Sequence, residues 1–208
     1  MEKIEIVLRE FSLKGKRIII SKDLRSICSK YDFDFNNTKK LLLNKGYLIT
    51  IFRGIYYLKD YNERKMGVIK YSSSELLAEG MKIKGIKNWY FGLNTAIKLL
   101  NLTHEVFTID YVINDKFNRV KPIDILGSKF LFRKIKTPLF FGIEKLKTKN
   151  GINLRYSNLE KTFLDSLYLS KKLIGYSDKI NRERLLKYSK HYPPTVKFKL
   201  KEWLDGQS

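Results

Sequence analysis

Over the first sixty positions the apolar residues change period in a fixed order, and that order leaves few folds open. Ile4, Val7, Leu8 and Phe11 fall at i, i+3, i+4 and i+7, one stripe of an amphipathic helix. Gly15 breaks the stripe, and Arg17 to Ile20 reads as a short strand. Ser21 is the expected N-cap of a second helix, with Asp23 in its first turn, where the helix dipole favours a carboxylate. Leu24, Ile27, Cys28 and Tyr31 repeat the stripe, and Cys28 fits a small core residue. A third helix is expected from about Phe35 to Lys45, stopped by Gly46 at the C′ position. Tyr47–Phe52 and Ile55–Leu58 are β-prone runs joined through Arg53-Gly54, a hairpin signal. Helix, strand, helix, helix, hairpin is the order of a winged helix-turn-helix, expected here over residues 1–62.

The third helix carries the chemistry. On a wheel of 100° per residue, Phe35, Thr38, Leu41 and Leu42 cluster on one side. Asn36, Lys40 and Asn44 recur at i, i+4 and i+8 on the other, with Asn37 beside them and Lys39 completing the set of DNA-binding candidates on this helix. An asparagine can pair bidentately with adenine N6 and N7 in the major groove, and a lysine can reach guanine or phosphate. Lys22 and Arg25 on the second helix suit the DNA backbone, and Arg53 at the wing tip suits a phosphate or the minor groove. The same stripe also fits a solvated outer face in a chain rich in lysine and asparagine, and a winged helix can serve protein or RNA contacts.

Charge points the same way without locating the surface. The chain has 42 Lys plus Arg against 21 Asp plus Glu, a net +21, which draws polyanions. Residues 1–60 hold 13 basic and 7 acidic side chains and the rest hold 29 and 14, so both parts are basic. A hydrophobic content of 43% excludes disorder as the main state. No apolar run reaches the ~18 residues of a membrane span, and Met1 to Glu10 lacks the apolar core of a signal peptide. One cysteine and two histidines, His104 and His191, offer no disulfide and no ready metal set. These features read as a cytoplasmic protein with no membrane partner, no metal and no cofactor.

Residues 63–208 read as an α/β domain with a mixed or antiparallel sheet, so the whole is α+β. Residues 60–70 look like a connection. Ser72 to Glu75 is a capping box opening a helix, and Leu93 to Leu100 a further one, led by Trp89 to Gly92. Strands are expected over Glu105–Ile113, near Arg119–Leu126, Lys129–Lys134 and Leu139–Ile143, with a turn at Asn114-Asp115. Ser157 to Glu160 is a second capping box, opening a helix through Phe163, Leu164 and Leu167. Helices near Arg182–Lys190 and Val196–Leu204 close the chain around Pro193-Pro194.

Three stretches, in this order, carry a family resemblance: Arg53-Gly54-Ile55-Tyr56; Tyr90-Phe91-Gly92-Leu93-Asn94-Thr95-Ala96 followed by Asn101-Leu102-Thr103; and Tyr156-Ser157-Asn158-Leu159-Glu160-Lys161-Thr162-Phe163-Leu164-Asp165. Over about residues 4–190 the chain resembles the AbiEi antitoxins of abortive-infection, type IV toxin–antitoxin systems. The resemblance implies a winged-helix domain that binds inverted repeats in its own promoter and represses it. It also implies a C-terminal domain that counteracts a nucleotidyltransferase toxin, by contact or by opposing its product. Two-fold symmetry of such a site implies a pair of copies on the DNA. Within the motifs, Tyr90, Phe91, Leu159 and Phe163 read as packing, and Asp165 as one half of a helix-surface ion pair.

Enzyme readings find little support in the residues. Gly127-Ser128 is not followed by the Asp-x-Asp that a nucleotidyltransferase needs for magnesium. Asp32-Phe-Asp34 lies at the start of the third helix, where acidic residues suit the dipole. Glu144-Lys145 and Glu160-Lys161 supply fragments of a metal-dependent nuclease site, and no glycine-rich phosphate loop is spaced correctly. The expectation is a DNA-binding, non-catalytic antitoxin. The alternatives are a winged-helix adaptor that works through protein contacts and, further off, a nuclease.

Overall fold

The computed structural model describes residues 3–171 and 177–206. Backbone contacts divide the chain into two units, Met1–Gly85 with Asp124–Gly127, and Ile86–Ile123 with Ser128–Ser208. Among the described residues no helix is long and apolar enough to cross a membrane.

The first unit runs α1 (Lys3–Leu13), β1 (Ile18–Ile20), α2 (Ser21–Lys30), α3 (Phe35–Asn44), β2 (Leu48–Phe52), β3 (Ile55–Leu58), α4 (Tyr61–Met66) and α5 (Ser73–Ile83). The three strands form an antiparallel sheet in the order β1-β3-β2, with Ile20 opposite Ile55 and Leu48 opposite Leu58. The stripes foreseen in the sequence supply the core. Ile4, Val7, Phe11, Leu24, Ile27, Cys28 and Leu42 pack with Ile19, Leu48, Tyr56 and Leu58. Each fully buried side chain of this size stabilises the unit by about 1.5–3 kcal/mol before entropy is counted.

The ends of the helices show where local chemistry differed from expectation. Ser21 is the first residue of α2 rather than its cap, because β1 runs directly into the helix and the Ser21 N–H is already donated to the Gly54 carbonyl at 2.9 Å. Ile20 holds the cap position, and its N–H is taken by the Asp23 carboxylate at 3.1 Å, which also accepts from Lys16 at 3.0 Å. Partial burial pushes the Asp23 carboxyl up, but Lys16 and the Ile20 N–H outweigh it and hold it below the usual carboxylate range. α3 is capped by Asp34, which accepts the Asn37 N–H at 2.7 Å, and Gly46 follows its end at φ +65°, as the C′ position requires.

The stretch 60–70 is not a plain connection. Asp60 and Glu63 cap α4 reciprocally, at 2.7 and 2.8 Å, and Glu63 then turns inward. Buried Glu63 accepts from the Tyr57 hydroxyl at 2.5 Å and the Lys70 N–H at 2.7 Å. α5 opens on the expected Ser72–Glu75 box and lies against β2. That packing carries the first unit to Gly85, beyond the residue-62 boundary read from the sequence. Gly80 makes the approach possible, since a Cβ there would stand 2.6 Å from Ile51 Cγ2 and 2.7 Å from Phe52 Cε2. Gly80→Ala is therefore expected to destabilise the unit by about 1–3 kcal/mol through overpacking, reversing the gain of up to ~1 kcal/mol that alanine brings to an open helix. A urea unfolding midpoint that rises instead of falling would contradict this packing.

The second unit contains β4 (Trp89–Gly92), α6 (Leu93–Leu99), β5 (Asp110–Asn114), β7 (Ser128–Lys134), β8 (Ile143–Lys147), β9 (Asn153–Ser157), α7 (Leu159–Tyr168), α8 (Arg182–Ser189) and α9 (Pro194–Asp205), while β6 (Ile123–Ile125) has its first residue in this unit and its other two in the first. The six strands lie in the order β6-β7-β5-β4-β9-β8. β4 is antiparallel to β5 and parallel to β9, β5 is parallel to β7, and β8 is antiparallel to β9, so the sheet is mixed and the fold is α+β. Tyr90, Ile113, Phe163, Leu164, Leu185 and Val196 belong to one core that joins β4 and β5 to α7, α8 and α9.

Several strand assignments change here. Trp89–Gly92 leads directly into α6, with Gly92 at the cap position, and is itself an inner strand, buried at all four positions, so it shows no alternation to read. The strand expected from Glu105 shrinks to Asp110–Asn114, and Val106 stands in solvent; that expected near Arg119–Leu126 shrinks to Ile123–Ile125. Leu139–Ile143 is no strand: a 3-10 turn covers Thr137–Leu139, and β8 begins only at Ile143. β9 lay unforeseen in Asn153–Ser157. α7 is capped by Asn158, which accepts the Lys161 N–H at 3.1 Å, and not by Ser157, whose hydroxyl bonds Thr162 at 2.6 Å.

Candidate functional site

The outer face of α3 is the candidate surface of the first unit. α2 and α3 are joined by a four-residue turn in which the Phe33 N–H reaches the Cys28 carbonyl at 2.8 Å and Asp32 takes a left-handed conformation at φ +51°, which aspartate tolerates. Thr38 and Leu42 point into the core, leaving Asn36, Asn37, Lys40 and Asn44 exposed. At ~1.5 Å per residue, the row from Asn36 to Asn44 spans about 12 Å, close to the width of a DNA major groove.

Arg25 and Lys39 flank this row through one aromatic ring. The Arg25 guanidinium lies 3.9 Å from the centroid of Phe35, and the Lys39 ammonium lies 5.1 Å from it. The contact holds both cations beside the start of α3. Lys39 is half-buried, while Arg25 is exposed. Lys22 is exposed near the start of α2, and the Ser21–Gly54 hydrogen bond brings the β2–β3 turn, with exposed Arg53 and Gly54 at φ +82°, beside it. The structure thus gathers Arg25, Asn36, Asn37, Lys39 and Lys40 about α3, Lys22 and Arg53 about the start of α2, and leaves Asn44 at the far end of its helix. Asp32 and Asp34, both exposed, add negative charge where α3 begins.

Leu41 was expected on the core side, and the structure places it outside, 42% exposed, between Asn37 and Asn44. Four consecutive apolar or amphipathic residues, Lys40 to Leu43, blur the wheel there, and only the burial of Leu42 fixes its phase. An apolar side chain in the middle of this polar row suits a thymine methyl group.

The second unit holds a charge cluster that sequence reasoning misplaced. Asp165 is not on a helix surface; it and Lys161, one turn apart on α7, are both 0% exposed and form an ion pair. Tyr90 donates to Asp165 Oδ2 at 2.6 Å from β4, and the Tyr192 hydroxyl donates to Asp165 Oδ1 at 2.7 Å. The Lys161 ammonium reaches the Tyr192 oxygen at 2.7 Å and lies 5.1–5.3 Å from the rings of Tyr90, Phe141 and Tyr192. Burial and the Asp165 charge push both tyrosine hydroxyls up, so they remain donors. Burial draws the Lys161 ammonium below the usual lysine range, opposed by Asp165. Tyr90 is therefore more than packing. The residue types alone, Lys at i and Asp at i+4 on a helix, match an ordinary surface pair, which is why the sequence did not disclose the burial.

The fragments considered for catalysis do not converge. Glu160 accepts from Arg184 at 3.4 Å and from the Asn181 N–H at 3.0 Å, and Glu144 lies on β8. Gly127 occupies a turn at φ +80°, its N–H on Asp124 at 2.9 Å. Both histidines are exposed, with the His191 ring 4.9 Å from that of Phe141. Among the described residues, no group of three or more His, Cys, Asp or Glu is arranged to hold a metal ion.

No family model matches the chain, and no curated protein matches it. A solved structure does: the RV2827C protein from Mycobacterium tuberculosis is similar over 92% of this chain and 72% of its own, with a TM-score of 0.61 at 13% identity. At that identity the likeness is one of fold.

Proposed function

We propose that this chain is a sequence-specific regulator that binds double-stranded DNA, with residues 1–62 as a winged helix-turn-helix, α3 as the recognition helix and the β2–β3 turn as a short wing. The reading rests chiefly on the row of Asn36, Asn37, Lys40 and Asn44 on the outer face of α3. Such a row can hydrogen-bond base edges, while Lys22, Arg25, Lys39 and Arg53 supply phosphate contacts around it. The AbiEi resemblance adds the biological setting: repression of its own promoter by a pair of copies on inverted repeats, and opposition to a nucleotidyltransferase toxin through the second unit. In its favour, Tyr90 and Asp165, from two separate motifs of that resemblance, are hydrogen-bonded partners across 75 positions.

The roles of turn and helix are separable by experiment. Arg53→Ala is expected to weaken binding to promoter and scrambled duplexes alike and to make the salt slope shallower by about one phosphate contact, ~0.9 in log K against log salt. Fluorescence anisotropy at several salt concentrations reads both quantities. A changed sequence preference would instead place Arg53 in the minor groove.

A further inference from the structure

A groove on the first unit, about 670 Å³ in volume, runs between α1 and α4 and shares no residue with the candidate DNA-binding set. Its wall mixes two chemistries. Leu8 and Phe11 of α1 and Leu58 of β3 make it apolar, and two large apolar side chains lie open along it: Leu13 is 77% exposed and Tyr61 is 68% exposed. Around them stand seven cationic side chains, among them Arg9, Lys59, Arg64 and Lys65, against two carboxylates. Two of the seven cations are already engaged, Arg17 with Asp60 at 3.0 Å and Lys16 with Asp23 at 3.0 Å, which leaves Arg9, Lys59, Arg64 and Lys65 in excess over Glu5.

We propose that this groove docks an acidic, amphipathic helical segment of a protein partner. The cationic rim selects for carboxylates, and the open Leu13 and Tyr61 select for apolar side chains spaced to reach them. A second copy of the chain is a poor occupant because each copy carries +21. Duplex DNA would satisfy the rim and could hydrogen-bond Tyr61, but a groove that meets only phosphates and sugars would leave the apolar surface of Leu13 unburied.

The test uses the full chain and fluorescein-labelled 16-residue peptides of glutamate and leucine. One carries leucines at i, i+3/i+4 and i+7; its isomer has the same composition without the stripe. The striped peptide is expected to bind about tenfold tighter or more, and Leu13→Ser/Tyr61→Ser to abolish that preference while leaving the common electrostatic attraction. Both side chains are largely in solvent, so the variant is expected to keep its unfolding midpoint. Equal binding of the two peptides, or a preference that survives in the variant, would overturn the proposal. So would a loss of promoter affinity in Arg9→Ala/Lys65→Ala matching that of α3 variants, which would make the groove part of the DNA footprint.

Discussion

Asp165→Ala is expected to lower the unfolding free energy by about 3–5 kcal/mol, the largest effect of any single substitution considered for this protein. The ammonium of Lys161 is wholly buried, and Asp165 is its carboxylate partner. Removing the carboxylate leaves that cation uncompensated and strands the hydroxyl hydrogens of Tyr90 and Tyr192. Taking out both charges, as in Lys161→Met/Asp165→Leu, spares the uncompensated ion and is expected to cost much less than the sum of the single substitutions. Denaturant unfolding of the four members of this cycle measures the coupling. Additive losses would mean that solvent reaches the pair in the folded protein, contrary to its complete burial.

The second large effect tests the proposed DNA face. Asn36→Ala and Lys40→Ala are each expected to weaken promoter binding by about 1–3 kcal/mol, or roughly 5–150-fold, and to narrow the gap between promoter and scrambled duplex. Both side chains are exposed on α3, so thermal unfolding is expected to move little. This separates a contact effect from a folding effect. If both variants retain full discrimination, α3 is not the reading helix. A loss of affinity without a loss of discrimination would assign these residues to phosphates.

The contrast between the two sites explains what could be read in advance. Residues 3–58 were legible because each segment announces its own period and Gly15 and Gly46 fall where those periods end, although the cap of α2 is Ile20 and not the expected Ser21. The i, i+4, i+8 row of Asn36, Lys40 and Asn44 could be seen on a wheel for the same reason. Leu41 escaped, since a run of leucines fits more than one phase. In the second unit, β4 and β9 are inner strands with non-local partners; Phe91 meets Tyr156 in a parallel pair that no local pattern encodes. Asp165 illustrates the limit most sharply. Its ion-pair partner on the same helix was within reach of the sequence, but its depth depends on Tyr90 and Tyr192, which lie 75 and 27 positions away. The groove between α1 and α4 depends on a short helix in a segment that composition alone presents as a connection.

The central claim is promoter-selective DNA binding through α3, and the most direct measurement is a titration of the full chain against its own upstream promoter and a scrambled duplex at two salt concentrations. Tight binding to the promoter alone is expected, with log K falling by roughly 0.9 per neutralised phosphate per decade of salt over ~4–6 contacts. Equal and weak binding to both duplexes would contradict it, and would reduce the net charge of +21 to nonspecific attraction.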